Sequence, residues 1–513
     1  MNQRTNQSKE LNHWTVYGIC LLVSTIFFLL LGFNSPIFTF NSENDYQWFM
    51  TMGNGLVHGK IPYSDLFEQK GPIVYFVTAF CCLFPNPNIV MLIIEILSMS
   101  LFFFFAYRIC RKRLNTFYSL LAIPLLAFAI FTSWCRTRSA ATVEEFMLPI
   151  YAYFLLTWLE FLLEKHHWNW IRALCLGFCF GIMLWVKYTL FYFVLVPMII
   201  WFIISLRRRQ YRILLINMLC MLIGIIIISA PILAFYAIHN ALDDLFYVYF
   251  YINLTAYGTN SPLDILFSFG IFFCMGPVIL VLILWGVIHF AVRYWHEKTG
   301  WYLLTAFIIN LFLLIYSCKL IAYYYIGLIP YGILGVTEIL NLISKKITIS
   351  HYRKCIFICI TAICLLLAIP CSVYTYELGR NRNEYAALSI ADTIQDYETT
   401  NNTQTTLFCY KIGDYGFYNT TKKIPHNYFF VRNVFNEERF PKMFDTFNEY
   451  IVEQNSDFII TELSTWNQEV NENGLLPQFY APYTGNITTS TYHFKKVHYF
   501  YYIEFDFVLL IKK

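Results

Sequence analysis

Asp45-Tyr-Gln-Trp-Phe-Met-Thr-Met-Gly-Asn-Gly55, followed by Pro62-Tyr-Ser-Asp-Leu-Phe-Glu-Gln-Lys-Gly-Pro72, is the longest polar interval in an otherwise apolar stretch of chain. It follows directly on the first apolar run. From Asp45 the apolar residues Trp48, Phe49, Met52 and Leu56 recur at helical spacing, and Gly59 and Pro62 end the run. A helix of this kind is expected to lie in a membrane interface with its apolar face toward lipid. Asp45 near its N-terminus gains from the helix dipole, so capping is one reading of it. The other is chemical: a carboxylate at the water–lipid boundary can take a proton from an attacking hydroxyl.

The surrounding composition sets the class. Of 513 residues, 58% are hydrophobic, 20% aromatic and 13% charged, about half the roughly 25% charge of a soluble protein. Apolar runs of about 20 residues, enough to cross ~30 Å of hydrocarbon, recur along the first three quarters. About eleven spans are expected, near 14–36, 87–108, 115–133, 146–163, 171–186, 189–206, 211–237, 264–290, 300–318, 321–342 and 354–374. Residues 171–206 also read as one long helix. The N-terminal run is too long for a cleavable signal and reads as an anchor. A net charge of +4 does not suggest a nucleic-acid partner.

Charge distribution sets the expected topology. Basic clusters fall between alternate spans: Arg108 to Arg113, Lys165 to Arg172, Arg207 to Arg212, Arg293 to Lys298 and Lys345 to Lys354. Loops rich in Lys and Arg stay cytoplasmic. The N-terminus is then inside, and the Asp45 loop and the C-terminal tail are outside. Residues 376–513 turn polar, with helical periodicity at Glu384–Tyr397 and Phe440–Gln454. Strand-like runs at Thr406–Lys411, Asp457–Thr461 and Tyr499–Ile511 alternate with them. A small extracytoplasmic α/β domain is expected there, after a membrane domain over residues 1–375. Nearly all the cysteines sit in apolar runs and behave as small apolar side chains, so no disulfide framework is expected.

The Asp45 loop, with Glu68-Gln-Lys-Gly-Pro72 near its end, resembles the first outer loop of C-superfamily (GT-C) membrane glycosyltransferases that use polyprenyl-phosphate sugars. The similar proteins are the protein O-mannosyltransferases and the lipid A aminoarabinose transferases, which have Glu-Lys-Pro-Pro where this chain has a variant. The resemblance implies that Asp45 is the catalytic base and that Lys70 contacts the donor phosphate. A lysine fixed beside a leaving phosphate lowers the barrier electrostatically; the alternative is a lysine snorkelling to headgroups.

Further candidates follow. Glu144 and Glu145, in Thr142-Val-Glu-Glu145, partly match a motif of similar bacterial transferases; they read either as sugar, acceptor or divalent-ion ligands or as acidic first-turn residues. Arg138 breaks the inside-positive pattern and calls for an anion, either these glutamates or a lipid phosphate. Lys187 interrupts a long apolar run, where an ionisable residue costs ~2.5–3.5 kcal/mol and marks a site or a boundary. Lys319 and Tyr324, before Pro330, are placed with the pocket or in an aromatic belt, and Glu68 joins them as a pocket residue. Glu95, Glu160 and Glu338 read as isolated carboxylates. No Gly-rich phosphate loop and no ligand-spaced His/Cys/Asp cluster is present. No cofactor is required on this reading, though a divalent cation is allowed.

The reading is an inverting, hexosyltransferase-type membrane enzyme. Its donor is a polyprenyl-phosphate monosaccharide. Its acceptor is an envelope glycopolymer such as a teichoic acid, a glycolipid or a protein. The rival is a lipid-linked sugar flippase, which would more often show two matching halves.

Overall fold

Long apolar runs satisfy their backbone polar groups in lipid only as helices or closed barrels, and this chain is helical throughout its apolar part. A computed structural model describes residues 11–41, 43–133, 141–164, 168–256, 261–317, 321–347, 352–371, 380–435, 437–484, 491–498 and 501–513. In chain order the first helices are α1 (His13–Leu31), α2 (Asn44–Val57), α3 (Pro72–Cys82), α4 (Pro87–Cys110) and α5 (Thr116–Phe131). They continue with α6 (Val143–Phe146), α7 (Leu148–Leu163), α8 (Trp170–Lys187), α9 (Tyr192–Arg207) and α10 (Tyr211–Ile238).

Among the described residues eight helices are long and apolar enough to cross a membrane. A ninth appears if Pro262–Phe273 and Pro277–Arg293, bent by 96°, form one span. The expected eleven are not reached by length and composition. Thr116–Phe131 has only 16 residues, and Trp170–Arg207 counts as a single stretch of 38. That stretch is not one straight helix. At 1.5 Å per residue it would measure ~57 Å, nearly twice the bilayer core. Lys187 leaves the helical region at φ −168°, ψ 100°, and a short 3-10 turn, Tyr188–Phe191, follows. Trp168 stacks on Trp201 at 4.6 Å, so α9 returns alongside α8. The chain reverses at Lys187.

Two compact units account for the contacts. The first holds residues 1–35, 91–230 and 260–375. Small residues let its helices touch. A Cβ on Gly177 would lie 2.0 Å from the Met221 carbonyl oxygen, so α8 and α10 pack backbone to backbone. Several of its acidic residues are paired. Lys112 binds Glu160 at 2.7 Å and Glu164 at 2.6 Å, and Arg172 binds Glu160 at 2.9 Å. Glu338 pairs with Arg113 and lies 3.2 Å from His289. Glu95, expected to be isolated, is not. Its buried carboxylate accepts from Asn34 Nδ2 at 3.0 Å and from the Ala141 N–H at 3.1 Å. Uncompensated buried charge is costly, and each of these carboxylates has found a partner.

The second unit holds residues 36–90, 231–259 and 376–513. Its sheet runs β1 (Leu407–Cys409), β2 (Phe458–Glu462), β5 (Tyr501–Lys512), β3 (Tyr480–Pro482), and β4 (Thr491–His498) pairs with β5. Strands β1 and β2 are parallel, joined through the helix Pro441–Val452, as a crossover connection requires. The remaining pairs are antiparallel, with Phe458 opposite Ile511 and Thr491 opposite Val508. The expected mix of helices and a small sheet is present in the C-terminal residues. β3 and β4 and the short helices Phe417–Thr421, Leu463–Asn471 and Leu476–Phe479 were not expected from the pattern.

Candidate active site

Helix α2 starts behind Glu43, whose carboxylate accepts the Tyr46 N–H at 2.8 Å. Glu43 is therefore the cap, and Asp45 lies half-buried in the first turn. The apolar stripe of α2 does not face lipid as expected. Trp48, Phe49 and Met52 are buried in protein. The reason is α3, itself apolar, which approaches so closely that a Cβ on Gly53 would sit 2.5 Å from the Ala79 nitrogen.

The loop that carries Lys70 is fixed atom by atom. Glu68 is fully buried, and its Oε2 accepts from the Lys70 N–H at 2.8 Å and from the Tyr75 hydroxyl. The Lys70 carbonyl accepts from Tyr63 at 2.5 Å and Tyr75 at 3.1 Å, and Asn253 Nδ2 donates to the Gln69 carbonyl at 2.8 Å. Burial holds the Tyr63 phenol well above its usual range, so it stays a donor. Tyr63 sits at φ 73°, strained for a bulky residue and tolerable only where neighbours over-determine it. Glu68 is thus bonded to the Lys70 backbone and has no exposed surface.

The Lys70 ammonium lies 3.9 Å from Glu68 Oε1 and 5.8 Å from the Phe49 ring centroid. Phe49 is four residues after Asp45, on the same helix face and ~6 Å along the axis. Lys70 thus lies against the side of α2 that carries Phe49, one turn from Asp45.

In the first unit a separate polar cluster forms. Thr142 caps α6 by accepting the Glu145 N–H at 3.2 Å, which buries Glu144 and Glu145 in a single turn. Glu144 Oε1 accepts from Lys187 Nζ at 2.7 Å, while Glu144 Oε2 is buried without a hydrogen-bond partner among the described residues. The Lys187 ammonium also sits 3.6 Å from the Tyr324 ring centroid. Glu144, Lys187 and Tyr324 come together as one group; Lys187 is a paired cation, not a lone interfacial anchor. Arg138 and Lys319 lie outside the described residues. Among the described residues no group of three or more His, Cys, Asp or Glu could hold a metal ion.

Sequence reading missed Tyr63, Tyr75 and Asn253, and took Glu95 as isolated. For Glu95 a signal existed: a carboxylate inside an apolar span is expensive enough to demand a partner. The tyrosines and Asn253 carried none.

Residues 70–235 match the family described as dolichyl-phosphate-mannose-protein mannosyltransferase, a match that begins at Lys70 and takes in about a third of the chain. Among solved structures, ArnT from Cupriavidus metallidurans in the apo state aligns with a TM-score of 0.60 at 11% identity, covering 97% of each chain. The same protein bound to undecaprenyl phosphate aligns at 0.57 and 10%, covering 96% of this chain and 97% of that one. The archaeal oligosaccharyltransferase AglB from Archaeoglobus fulgidus, in complex with an inhibitory peptide and a dolichol-phosphate, aligns at 0.50 and 12%. It is covered over 73% of its length by 92% of this chain. No curated protein matches the sequence.

The chain is helical, with several helices long and apolar enough to cross a membrane, and it has the fold of the solved ArnT structures. It resembles the protein O-mannosyltransferase and aminoarabinose transferase group of C-superfamily membrane glycosyltransferases.

Proposed function

We propose that this protein is an inverting glycosyltransferase that moves a monosaccharide from a polyprenyl-phosphate donor to a cell-envelope acceptor on the outer face of the membrane. The observation that supports the reading is the Lys70 ammonium 5.8 Å from the ring of Phe49, one helical turn after Asp45 on α2. The bound undecaprenyl phosphate of ArnT and dolichol-phosphate of AglB support a lipid-phosphate donor.

Asp45 accepts the proton of the acceptor hydroxyl as its oxygen attacks the anomeric carbon. The bond from that carbon to the phosphate oxygen breaks on the opposite face, which inverts the centre, and the phosphate takes the electron pair. Lys70 stabilises the charge that builds on this phosphate; its backbone is already held at both N–H and C=O, so no reorganisation is needed. Lys187 is assigned to the donor phosphate, and Glu144 and Glu145 to the sugar or the acceptor, with Tyr324 as a further pocket residue. The basic clusters between spans support an inner N-terminus and an outer C-terminal domain.

The test is incubation of purified protein with radiolabelled polyprenyl-phosphate sugars and membrane extract. Transfer of label to a glycopolymer, glycolipid or protein supports the reading and identifies the acceptor. Movement of intact labelled lipid across vesicles without transfer would replace it with a flippase.

A further inference from the structure

Asp414 is a fully buried carboxylate in the C-terminal α/β fold, and the mechanism above does not use it. Its Oδ2 accepts from the Thr51 hydroxyl at 2.6 Å, and its Oδ1 accepts from the Gly416 N–H at 2.9 Å. Thr51 lies on α2, six residues after Asp45. A second tie runs beside it: Asn419 Nδ2 donates to Gln47 Oε1 at 2.7 Å and to the Gln47 carbonyl at 3.1 Å. At the start of the same helix, a Cβ on Gly413 would meet Asn44 Oδ1 at 2.6 Å, so backbone lies directly against that side chain. Gly416 sits at φ 96°, and a Cβ there would strike the Phe40 ring at 2.4 Å. The turn Gly413-Asp-Tyr-Gly416 is shaped to reach α2.

Asn44, Gln47 and Thr51 are spaced i, i+3 and i+7, which is one stripe of a helix. The face with Asp45 and Phe49 is a different one. Each residue of an α-helix turns by about 100°, so any slip of the gripped stripe would swing Asp45 about the helix axis.

We propose that Asp414 and Asn419 are positioning residues: the C-terminal fold grips the Asn44–Gln47–Thr51 stripe and so sets the rotation and height of Asp45. This rests on Asp45 being the base. The grip is chemically well founded. A buried carboxylate needs donors, and Thr51 with the local N–H groups supplies them. Burial still raises the Asp414 carboxyl to about 6.

The test uses the full-length protein in detergent with a labelled polyprenyl-phosphate sugar, measured well below the melting temperature. Thr51→Val keeps the shape and removes the donor, whereas Thr51→Ser keeps the donor. A misplacement of about 1 Å can cost on the order of 100-fold, so Thr51→Val should lose roughly 10- to 100-fold in kcat with donor KM unchanged. Thr51→Ser should restore most of it. In an Asp45→Asn background Thr51→Val should cause no further loss, because there is no base left to misplace. Amide hydrogen exchange across residues 44–57 should rise in Thr51→Val and not in Thr51→Ser. Unchanged kcat in Thr51→Val, or an equal further loss in the Asp45→Asn background, overturns the inference. Near-normal transfer by Asp45→Asn alone overturns the assignment of the base, a different failure.

Discussion

Lys187 Nζ lies 2.7 Å from Glu144 Oε1 and 3.6 Å from the centre of the Tyr324 ring. The lysine stands where α8 ends and the chain reverses, so the pair ties the α8–α9 turn to the one-turn helix α6. Its side chain is 15% exposed and that of Glu144 1%, which makes this a nearly buried ion pair.

Removing one partner of such a pair leaves a buried charge uncompensated, at a cost of about 3–5 kcal/mol. Lys187→Met should therefore lower the melting temperature markedly as well as weaken donor binding. The double variant Lys187→Met with Glu144→Gln should recover much of the stability but not the binding. A thermal-melt series with donor titration checks both.

Asp45→Asn should lower turnover by about 10²–10⁴-fold with donor binding nearly unchanged, because an amide of the same shape cannot accept the proton. Glu43 is the cap, so loss of activity would not reflect a lost cap. Glu43→Ala supplies the contrast: it should cost about 0.5–2 kcal/mol of stability. Near-normal transfer by Asp45→Asn would move the role of base to Glu144 or Glu145.

Lys70→Gln should reduce kcat and weaken donor affinity. Tyr63→Phe, which removes a hydrogen bond to the Lys70 carbonyl, should cost about 1 kcal/mol of stability, and Tyr75→Phe, which removes the hydroxyl that donates to the buried Glu68 carboxylate, about 1.5–3 kcal/mol. Equilibrium binding of a polyprenyl phosphate separates affinity from turnover in these variants. Normal affinity and turnover in Lys70→Gln would reduce the residue to part of a structural loop.

Asp414 gives a pH dependence of defined sign. Burial raises its carboxyl in the folded protein from 3.8 to about 6. A raised acid favours folding when protonated. Its contribution is thus full below pH ~4, declines as pH rises toward ~6, and is absent above that. At about 1.4 kcal/mol per unit the difference is roughly 3 kcal/mol. Asp414→Asn should remove this part of the slope in unfolding measured between pH 4 and 7.

Topology is checked by fusion. A reporter placed after Lys513 should be active only outside the cell, and one inserted after Arg209 only inside.

The sequence by itself determined what local periodicity encodes. Apolar runs placed the helices, alternating helix and strand patterns announced the α/β fold near Leu407–Cys409, Phe458–Glu462 and Tyr501–Lys512, and the polar interruption at Lys187 marked the place where the chain turns. Each of these signals lies within one stretch of about 20 residues. Tertiary structure alone decided which charges and hydroxyls meet. Thr51 and Asp414 are 363 positions apart, Asn253 and Gln69 184, and Ala141 and Glu95 46. No periodicity links such residues; they pair because burial forbids an unsatisfied donor or carboxylate. The apolar stripe of α2 is likewise enclosed by protein instead of facing lipid: Trp48, Phe49 and Met52 are buried, and α3 packs closely at Gly53, which the order of residues in α2 could not reveal.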